Sequence, residues 1–167
     1  MSKIYFAYGS NLNLRNMKRM GPGIKCIGKT VLSNYRLVYK GICSFDSYLT
    51  IEPCKDRSVP IGVYKISKIN EFLLDRYEGY PILYSKNKIQ VKMHGKILSG
   101  MIYIMKEEYD YNIPSLEYIK MCEQGYENFE FNKDILDEAL QYTLKKKMNS
   151  QFWEFLFAYL LWILNVV

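Results

Sequence analysis

The sequence predicts an α+β fold, with an antiparallel meander or small barrel as its β part. Short segments rich in β-branched and aromatic residues follow one another at the spacing of strands joined by tight turns. One helical pattern interrupts these segments, and two more come after them. The chain has 167 residues, without an internal repeat or a low-complexity linker. It is therefore long enough to bury its own core without disulfides or metals.

The first third of the chain predicts a helix between strands. Residues 3 to 8 form an apolar strand, and Asn13 to Met20 form a short helix capped by Asn11 or Asn13 and ended by Gly21-Pro22-Gly23. Four short strands are expected next, at Ile24 to Leu32, Tyr35 to Tyr39, Tyr48 to Glu52 and Val59 to Tyr64. Ser33-Asn34, Gly41 and Pro53 separate them.

The middle of the chain changes to a helical period between Ser67 and Tyr77. Ser67 is the predicted N-cap, and Gly79 and Pro81 are stop signals. The face expected to be buried carries Ile69, Phe72, Leu73 and Tyr77.

Two further strands and two helices complete the predicted domain. The strands, Tyr84 to Met93 and Lys96 to Met105, are joined through His94-Gly95 as a tight hairpin. The helices span Pro114 to Glu127 and Asn132 to Met148, with Ser115 near the start of the first.

The C-terminal segment differs from the rest in composition. Phe152 to Val167 is apolar on every helical face, except for Glu154 and Asn165. As a helix it would extend roughly 24 Å, against ~30 Å for a bilayer core. We therefore divide the chain into a domain at 1–148 and an apolar helical tail at 149–167. Three interpretations of the tail stay open: a helix buried against the domain or in a homodimer interface, a membrane anchor preceded by Lys145 to Lys147, or an atypical C-terminus.

Charge and cysteine usage argue against several functions. The formal charge of +6 comes from scattered Lys and Arg residues, so no nucleic-acid partner is expected. The four cysteines form no CxxC pair and the chain has one histidine, His94, so we expect no metal and instead reduced core thiols in a cytoplasmic protein. The N-terminus has no pattern of a secretion signal.

A run of small and polar residues stands where the first strand ends. Tyr8-Gly9-Ser10-Asn11-Leu12 follows Ile4-Tyr5-Phe6-Ala7 directly. A glycine allows a sharp turn here, after which successive main-chain N–H groups can point into one concavity that suits a carboxylate or an oxyanion. The alternative is structural, with Asn11 acting only as a helix cap.

Glu78 is the candidate for acid–base chemistry. It falls at the C-terminal end of a predicted helix, where the helix dipole disfavours a negative charge. The like charge of Asp75 one turn earlier, and burial beneath Tyr77, Tyr80 and Tyr84, would raise its pKa further. A carboxyl group placed in this way can act as a general acid or base. The alternative is a solvated glutamate at a helix end.

Three blocks of the sequence resemble one enzyme family. The segment Tyr5 to Leu12 is similar to the N-terminal signature of the γ-glutamylcyclotransferase family, and Leu74-Asp75-Arg76-Tyr77-Glu78-Gly79 followed by Tyr84 is similar to its catalytic-glutamate segment. Pro114 to Ile119 resembles the stretch that opens the late helix of the family. The blocks occur in family order, between about residue 3 and about residue 128.

The resemblance implies both a fold and a reaction. The fold would be a small mixed β-barrel, mostly antiparallel and flanked by helices. The reaction would convert a γ-glutamyl amino acid or γ-glutamyl amine into 5-oxoproline and the free amine, without a cofactor. Glu78 would be the general acid/base. The implied substrate-binding residues are Tyr8, Gly9, Ser10, Asn11, Leu12, Tyr84 and Tyr118.

The match to the family pattern has gaps. The segment from Gly125 to Phe131 lacks a later Gly and Pro of the family, which affects the leaving-group side of the pocket. The loop reads Tyr-Gly-Ser-Asn-Leu, unlike that of the glutathione-specific branch, so γ-glutamyl amino acids or amines are favoured over glutathione. Two other functions stay open: a ligand-binding module without turnover, and a membrane-associated protein anchored by Phe152 to Val167.

Overall fold

Six strands and four helices make up the part of the chain that the structure describes. The computed structural model describes the backbone of residues 2–165 and the side chains of residues 2–150 and 152–156. The strands are β1 (Lys3–Ala7), β2 (Lys25–Cys43), β3 (Asp46–Ile66), β4 (Tyr84–Met93), β5 (Lys96–Met105) and β6 (Asp110–Tyr111). The helices are α1 (Leu14–Lys18), α2 (Lys68–Tyr77), α3 (Leu116–Asn128) and α4 (Asp134–Asn165), and a 3₁₀ turn spans Ser10–Leu12.

The strands form one mixed sheet in the order β4-β5-β1-β3-β2-β6. Every pairing is antiparallel except that of β1 with β5, which is parallel and places Tyr5 opposite Met101. The sheet curls into a half-barrel with helices against it. The curl brings β2 toward β4, where the Thr30 hydroxyl donates to the Lys92 carbonyl at 2.7 Å. The predicted α+β class with a mostly antiparallel barrel is confirmed.

The four short strands predicted between residues 24 and 64 are in fact two long ones. β2 and β3 pair along their length, with irregularities in the register near Gly28, Asn34 and Gly41. Asn34 and Asp56 adopt positive φ values of 64° and 61°. Bulges of this kind bend a strand without ending it. Of the predicted breaks, Ser33-Asn34 and Pro53 therefore lie within continuous strands, whereas Gly41 lies two residues before the end of β2.

Helix α2 begins as predicted but buries another face. The Ser67 hydroxyl accepts from the Asn70 main-chain N–H, and the Asn70 side chain completes a capping box. Asn70 is fully buried because its amide also donates to the carbonyls of Met20 and Pro22. That contact turns Leu74 inward and leaves Ile69 and Phe72 exposed.

The remaining elements agree closely with expectation. The β4–β5 hairpin turns at His94 and Gly95, both with positive φ. Asn13 caps α1 by accepting from two main-chain N–H groups, and Ser115 caps α3. The cysteines are only partly core residues, because Cys122 is buried whereas Cys26 and Cys43 are exposed.

Helix α4 runs without interruption through the proposed boundary at 148. Asn149 and Ser150 are neither glycine nor proline, so nothing ends the helix there. Phe152, Trp153 and Phe155 are exposed, which contradicts burial of this part of the tail against its own domain. The expectation for the rest of Phe152 to Val167 lies outside the described residues, which lack the side chains beyond 156 and all of 166–167. Among the described helices, none has the length and apolar character to cross a membrane.

Candidate active site

The three sequence blocks meet at one small cavity. Its volume is about 20 Å³, room for a single water molecule. The lining residues are Tyr5, Tyr8, Gly9, Ser10, Asn11, Leu49, Glu78, Tyr84, Tyr103 and Tyr118. All the site residues named from the sequence are therefore brought together except Leu12. Leu12 is buried behind the loop, and its N–H is used by the Gly9 carbonyl at 2.9 Å.

The loop after β1 presents unused main-chain donors. Gly9, Ser10 and Asn11 stand at the start of the 3₁₀ turn, and their N–H groups donate to no acceptor in the described part of the chain. The first N–H groups of a helical turn have no partner within it, so they are available to an anion. Gly9 has φ −117°, which any residue can adopt. Its value here is space, because a Cβ atom would lie 3.3 Å from the Tyr118 hydroxyl.

The end of helix α2 fixes the position of Glu78. Glu78 is the C-cap residue, and Gly79 follows with φ 63°. The N–H of Tyr80 donates to the Asp75 carbonyl at 2.8 Å, and that of Gly79 to the Arg76 carbonyl at 3.4 Å. These two bonds form a Schellman motif, which ends a helix in one defined geometry. The Glu78 side chain is thereby directed into the cavity, where the Asn11 amide donates to Oε1 at 2.7 Å.

Burial changes the acidity of Glu78. Part of the residue remains exposed, but its carboxyl group is surrounded by protein atoms. Desolvation raises the pKa of Glu78 to about 8, and the hydrogen bond from Asn11 acts in the opposite direction. The group is therefore mostly protonated at neutral pH and readily ionised just above it.

Asp75 does not contribute as the sequence suggested. Its carboxylate faces away from Glu78, accepting from the Tyr103 hydroxyl at 2.6 Å and pairing with Lys86 at 2.9 Å. Loss of exposure, rather than a neighbouring like charge, raises the pKa of Glu78.

Asn11 is held by a network of amides and hydroxyls. Its Nδ2 donates to the Tyr5 hydroxyl at 2.9 Å as well as to Glu78. Its Oδ1 accepts from the Asn16 amide at 3.0 Å, which defines which end of the Asn11 amide faces Glu78. The same Asn16 amide donates to the Tyr77 hydroxyl at 3.0 Å. Asn16 is thus a positioning residue that its sequence position in α1 did not reveal.

Five tyrosines surround the carboxyl group. Burial raises the pKa values of Tyr5, Tyr8, Tyr84, Tyr103 and Tyr118 above the ordinary range, so all five are neutral phenols. Tyr84, a substrate-binding residue implied by the resemblance, lines the cavity, and its hydroxyl donates to the Leu49 carbonyl at 2.8 Å. The Tyr118 hydroxyl accepts from the Leu49 N–H at 3.1 Å, and its own proton lies within reach of the Cys122 thiol.

Sequence reasoning missed Tyr5, Leu49 and Tyr103 as lining residues. Tyr5 lies on β1, three residues before Tyr8, and Tyr103 lies on the adjacent strand β5. Only the parallel pairing of β1 with β5 brings them together, and no local pattern predicts it. No three side chains of metal-ligating type cluster anywhere in the described residues.

A wider cleft opens beside the inner cavity and shares Ser10, Glu78, Tyr84 and Tyr118 with it. Its volume is about 420 Å³, enough for a dipeptide-sized molecule. Its remaining lining residues are Tyr48, Arg76, Tyr77, Gly79, Leu83, Ser115, Glu117 and Met121. We call this space the outer cleft.

A family model described as gamma-glutamyl cyclotransferase, AIG2-like matches residues 5–120. The chain belongs to this family. The matched span holds the loop after β1, Glu78 and Tyr118, which are the parts that meet at the cavity. Membership confirms the resemblance deduced from the three blocks and supports an enzymatic function of the cyclotransferase type.

Solved structures extend the comparison beyond the matched span. A gamma-glutamyl cyclotransferase is 25% identical with a TM-score of 0.69, covering 88% of this chain and 87% of its own. An uncharacterized protein from Homo sapiens is also 25% identical, with a TM-score of 0.68 and coverages of 87% and 86%. YkqA from Bacillus subtilis shares the fold at 20% identity and a TM-score of 0.66, covering 89% of this chain and 55% of its own. No curated protein sequence matches the chain significantly.

Proposed function

We propose that this cyclotransferase-family protein converts a γ-glutamyl amino acid or γ-glutamyl amine into 5-oxoproline and the free amine, with Glu78 as general acid/base. One observation carries the proposal: a buried carboxyl group with a pKa of about 8 faces a loop with unused N–H donors across a single cavity. An anion-binding loop and a proton-transfer group are the two components that this reaction requires.

The loop after β1 would bind the charged end of the substrate. The free N–H groups of Gly9, Ser10 and Asn11 suit the α-carboxylate of the glutamyl group. The inner cavity is too small for a whole γ-glutamyl group, so this group would also occupy the adjoining part of the outer cleft. The Tyr118 hydroxyl lines both spaces and can turn its proton from the Cys122 thiol to the γ-carbonyl oxygen as negative charge develops there.

The reaction is an intramolecular transfer. The α-nitrogen attacks the γ-carbonyl carbon, a C–N bond closes the five-membered ring, and the original amide C–N bond breaks. Holding both groups of one substrate in contact supplies much of the rate enhancement. The Glu78 carboxylate accepts a proton from the α-ammonium group and then, as the carboxylic acid, donates it to the leaving nitrogen. It next accepts the second proton, which the ring nitrogen loses as it becomes an amide, and passes it to the released amine, which leaves Glu78 ionised again. A pKa of about 8 suits both steps near neutral pH.

The proposal assigns the catalytic unit to residues 1–148 and leaves 149–167 as an apolar tail that the reaction does not use. Among the residues whose side chains the structure describes, none lines the cavity beyond Tyr118 and none lines the outer cleft beyond Met121. Action in the cytoplasm is part of the proposal, since the four free cysteines, two of them exposed, suit a reducing compartment.

The test is release of 5-oxoproline from γ-glutamyl amino acids and amines by the wild type and by Glu78→Gln. Glutamine keeps the shape and accepts the Asn11 hydrogen bond, but it transfers no proton. Turnover should fall by roughly 10²- to 10⁴-fold. Glu123→Gln changes a glutamate on α3 outside the cavity and serves as the matched control.

Two results would contradict the proposal. Undiminished turnover by folded Glu78→Gln would remove the role of Glu78. Binding of γ-glutamyl compounds by the wild type without any 5-oxoproline would favour the ligand-binding module.

A further inference from the structure

The outer cleft has an apolar and aromatic wall. Leu83 follows the end of α2, Met121 faces the cleft from α3, and Tyr48 and Tyr77 stand on β3 and α2. The rings of Tyr48 and Tyr118 meet edge to face with centroids 5.1 Å apart. An aromatic pair of this kind favours a flat apolar group packed against its exposed faces.

The polar atoms of this wall are already occupied. The Tyr48 hydroxyl donates to Asp46 at 2.7 Å, which raises the pKa of Tyr48 to about 12. The Tyr77 hydroxyl accepts from the Asn16 amide and donates to the Met121 sulfur at 3.9 Å, and the Tyr84 hydroxyl donates to the Leu49 carbonyl. A ligand in the outer cleft therefore meets ring faces, the Leu83 side chain and the Met121 thioether.

Charge is confined to the rim. Arg76 and Glu117 are exposed and line the opening of the outer cleft. Neither forms an ion pair with another residue in the described part of the chain. A charged group on the leaving amine would have to stay at the rim, because a charge beside Met121 would lose hydration without gaining a partner.

We propose that the outer cleft is a specificity site for γ-glutamyl conjugates whose leaving amine has an apolar or aromatic body, and that Met121 determines this preference. The inference rests on the proposed function, since the leaving amine is placed outward from Glu78. The cleft and the inner cavity share Glu78 and Tyr118, so the amide nitrogen lies at their junction.

The size of the preference follows from hydrophobic burial. A single methylene group in an apolar pocket changes kcat/KM by roughly 10- to 200-fold. A phenyl group is larger but would remain partly exposed in an open cleft. We therefore expect at least about a tenfold advantage for γ-glutamyl-phenylalanine over γ-glutamyl-alanine, and a disadvantage for γ-glutamyl-aspartate.

The experiment measures both binding and turnover of these three compounds. Dissociation constants are obtained by calorimetry with Glu78→Gln, which binds without turnover under the proposed function, and kcat/KM with the wild type. γ-Glutamyl-phenethylamine and γ-glutamyl-ethylamine form a second pair that differs by one phenyl group but carries no carboxylate. Tighter binding of the phenyl compound in both pairs supports the apolar site.

The outcomes separate this inference from the proposed function. A phenyl preference in binding without 5-oxoproline from the wild type upholds the site and refutes the reaction. Turnover with equal affinities within each pair, or no binding of any compound, overturns the site. Met121→Gln should abolish the phenyl preference, whereas Met148→Gln, at an exposed methionine outside the cleft, should retain it. If Met121→Gln folds poorly, the two substrate pairs measured with the wild type and with Glu78→Gln still test the apolar site.

Discussion

The buried carboxyl group of Glu78 should make the protein less stable as the pH rises. In the unfolded chain an ordinary glutamate has a pKa near 4.5, whereas in the fold the pKa is about 8. Between pH 4.5 and pH 8 the Glu78 carboxyl is ionised in the unfolded state but still protonated in the folded state. Raising the pH through this range therefore favours the unfolded state. The stability contribution of the protonated group is complete below about pH 4.5 and is lost as the pH rises through about 8.

The size of the effect can be worked out from the shift. Each pKa unit corresponds to about 1.4 kcal/mol. At pH 7 the pH lies about 2.5 units above the pKa of the unfolded glutamate, so burial of the protonated group lowers the free energy of unfolding by roughly 3 kcal/mol. Glu78→Gln keeps the side chain neutral at every pH and still accepts from Asn11. We therefore expect the variant to be more stable than the wild type by roughly 3 kcal/mol at pH 7, with little difference near pH 4.

Urea unfolding of both proteins at intervals from pH 4 to pH 9 measures this difference. The free energy of unfolding of the variant, minus that of the wild type, should rise across this range and level off above about pH 8. Glu123→Gln serves as the control for losing a glutamate elsewhere on the surface. A difference that stays constant from pH 5 to pH 8 would refute the claim that Glu78 is buried in its protonated form.

Three further predictions concern activity. The kcat/KM of the wild type should rise with pH, with a midpoint near 8. Asn11→Ala should move this midpoint to higher pH, because the hydrogen bond that it removes stabilises the ionised form of Glu78; an unchanged midpoint would show that Asn11 does not affect the pKa of Glu78. Arg76→Gln should raise the KM several-fold for γ-glutamyl-phenylalanine, whose leaving group carries a carboxylate that can pair with the Arg76 guanidinium, but not for γ-glutamyl-phenethylamine, which lacks it. Equal changes of KM for both substrates in steady-state assays would contradict this pairing. Deletion of 150–167 should leave kcat/KM within about twofold, since none of the described residues of this segment lines the cavity or the outer cleft. A large loss of kcat/KM would place the tail in the active unit.

Local signals in the sequence predicted the parts of the fold that local interactions determine. The hairpin at His94-Gly95 and the caps at Asn13, Ser67 and Ser115 depend on neighbouring residues, and all occur as expected. The continuity of β2 and β3 was missed because Asn34 and Asp56 hold bulges within paired strands. A polar residue with positive φ ends a strand in one context and bends it in another.

The candidate site divides in the same way. Glu78 and the loop after β1 could be recognised because each has a distinctive local setting. The contacts of Asp75 could not be predicted, because its partners Lys86 and Tyr103 lie on β4 and β5, which follow it later in the chain. The buried face of α2 was predicted wrongly for a related reason, since Asn70 is drawn inward by carbonyls of the segment around Met20.

Helix α3 divides its residues between two tasks. Tyr118 lines both the inner cavity and the outer cleft, whereas Met121, one turn later, lines only the outer cleft. A substitution at position 121 therefore changes the outer cleft directly and reaches the groups around Glu78 only through the Tyr77 hydroxyl, which donates to the Met121 sulfur and accepts from Asn16. Under the proposed function, a lineage carrying this helix could move from one amine to another by mutation at position 121 while Tyr118 and Glu78 keep their places.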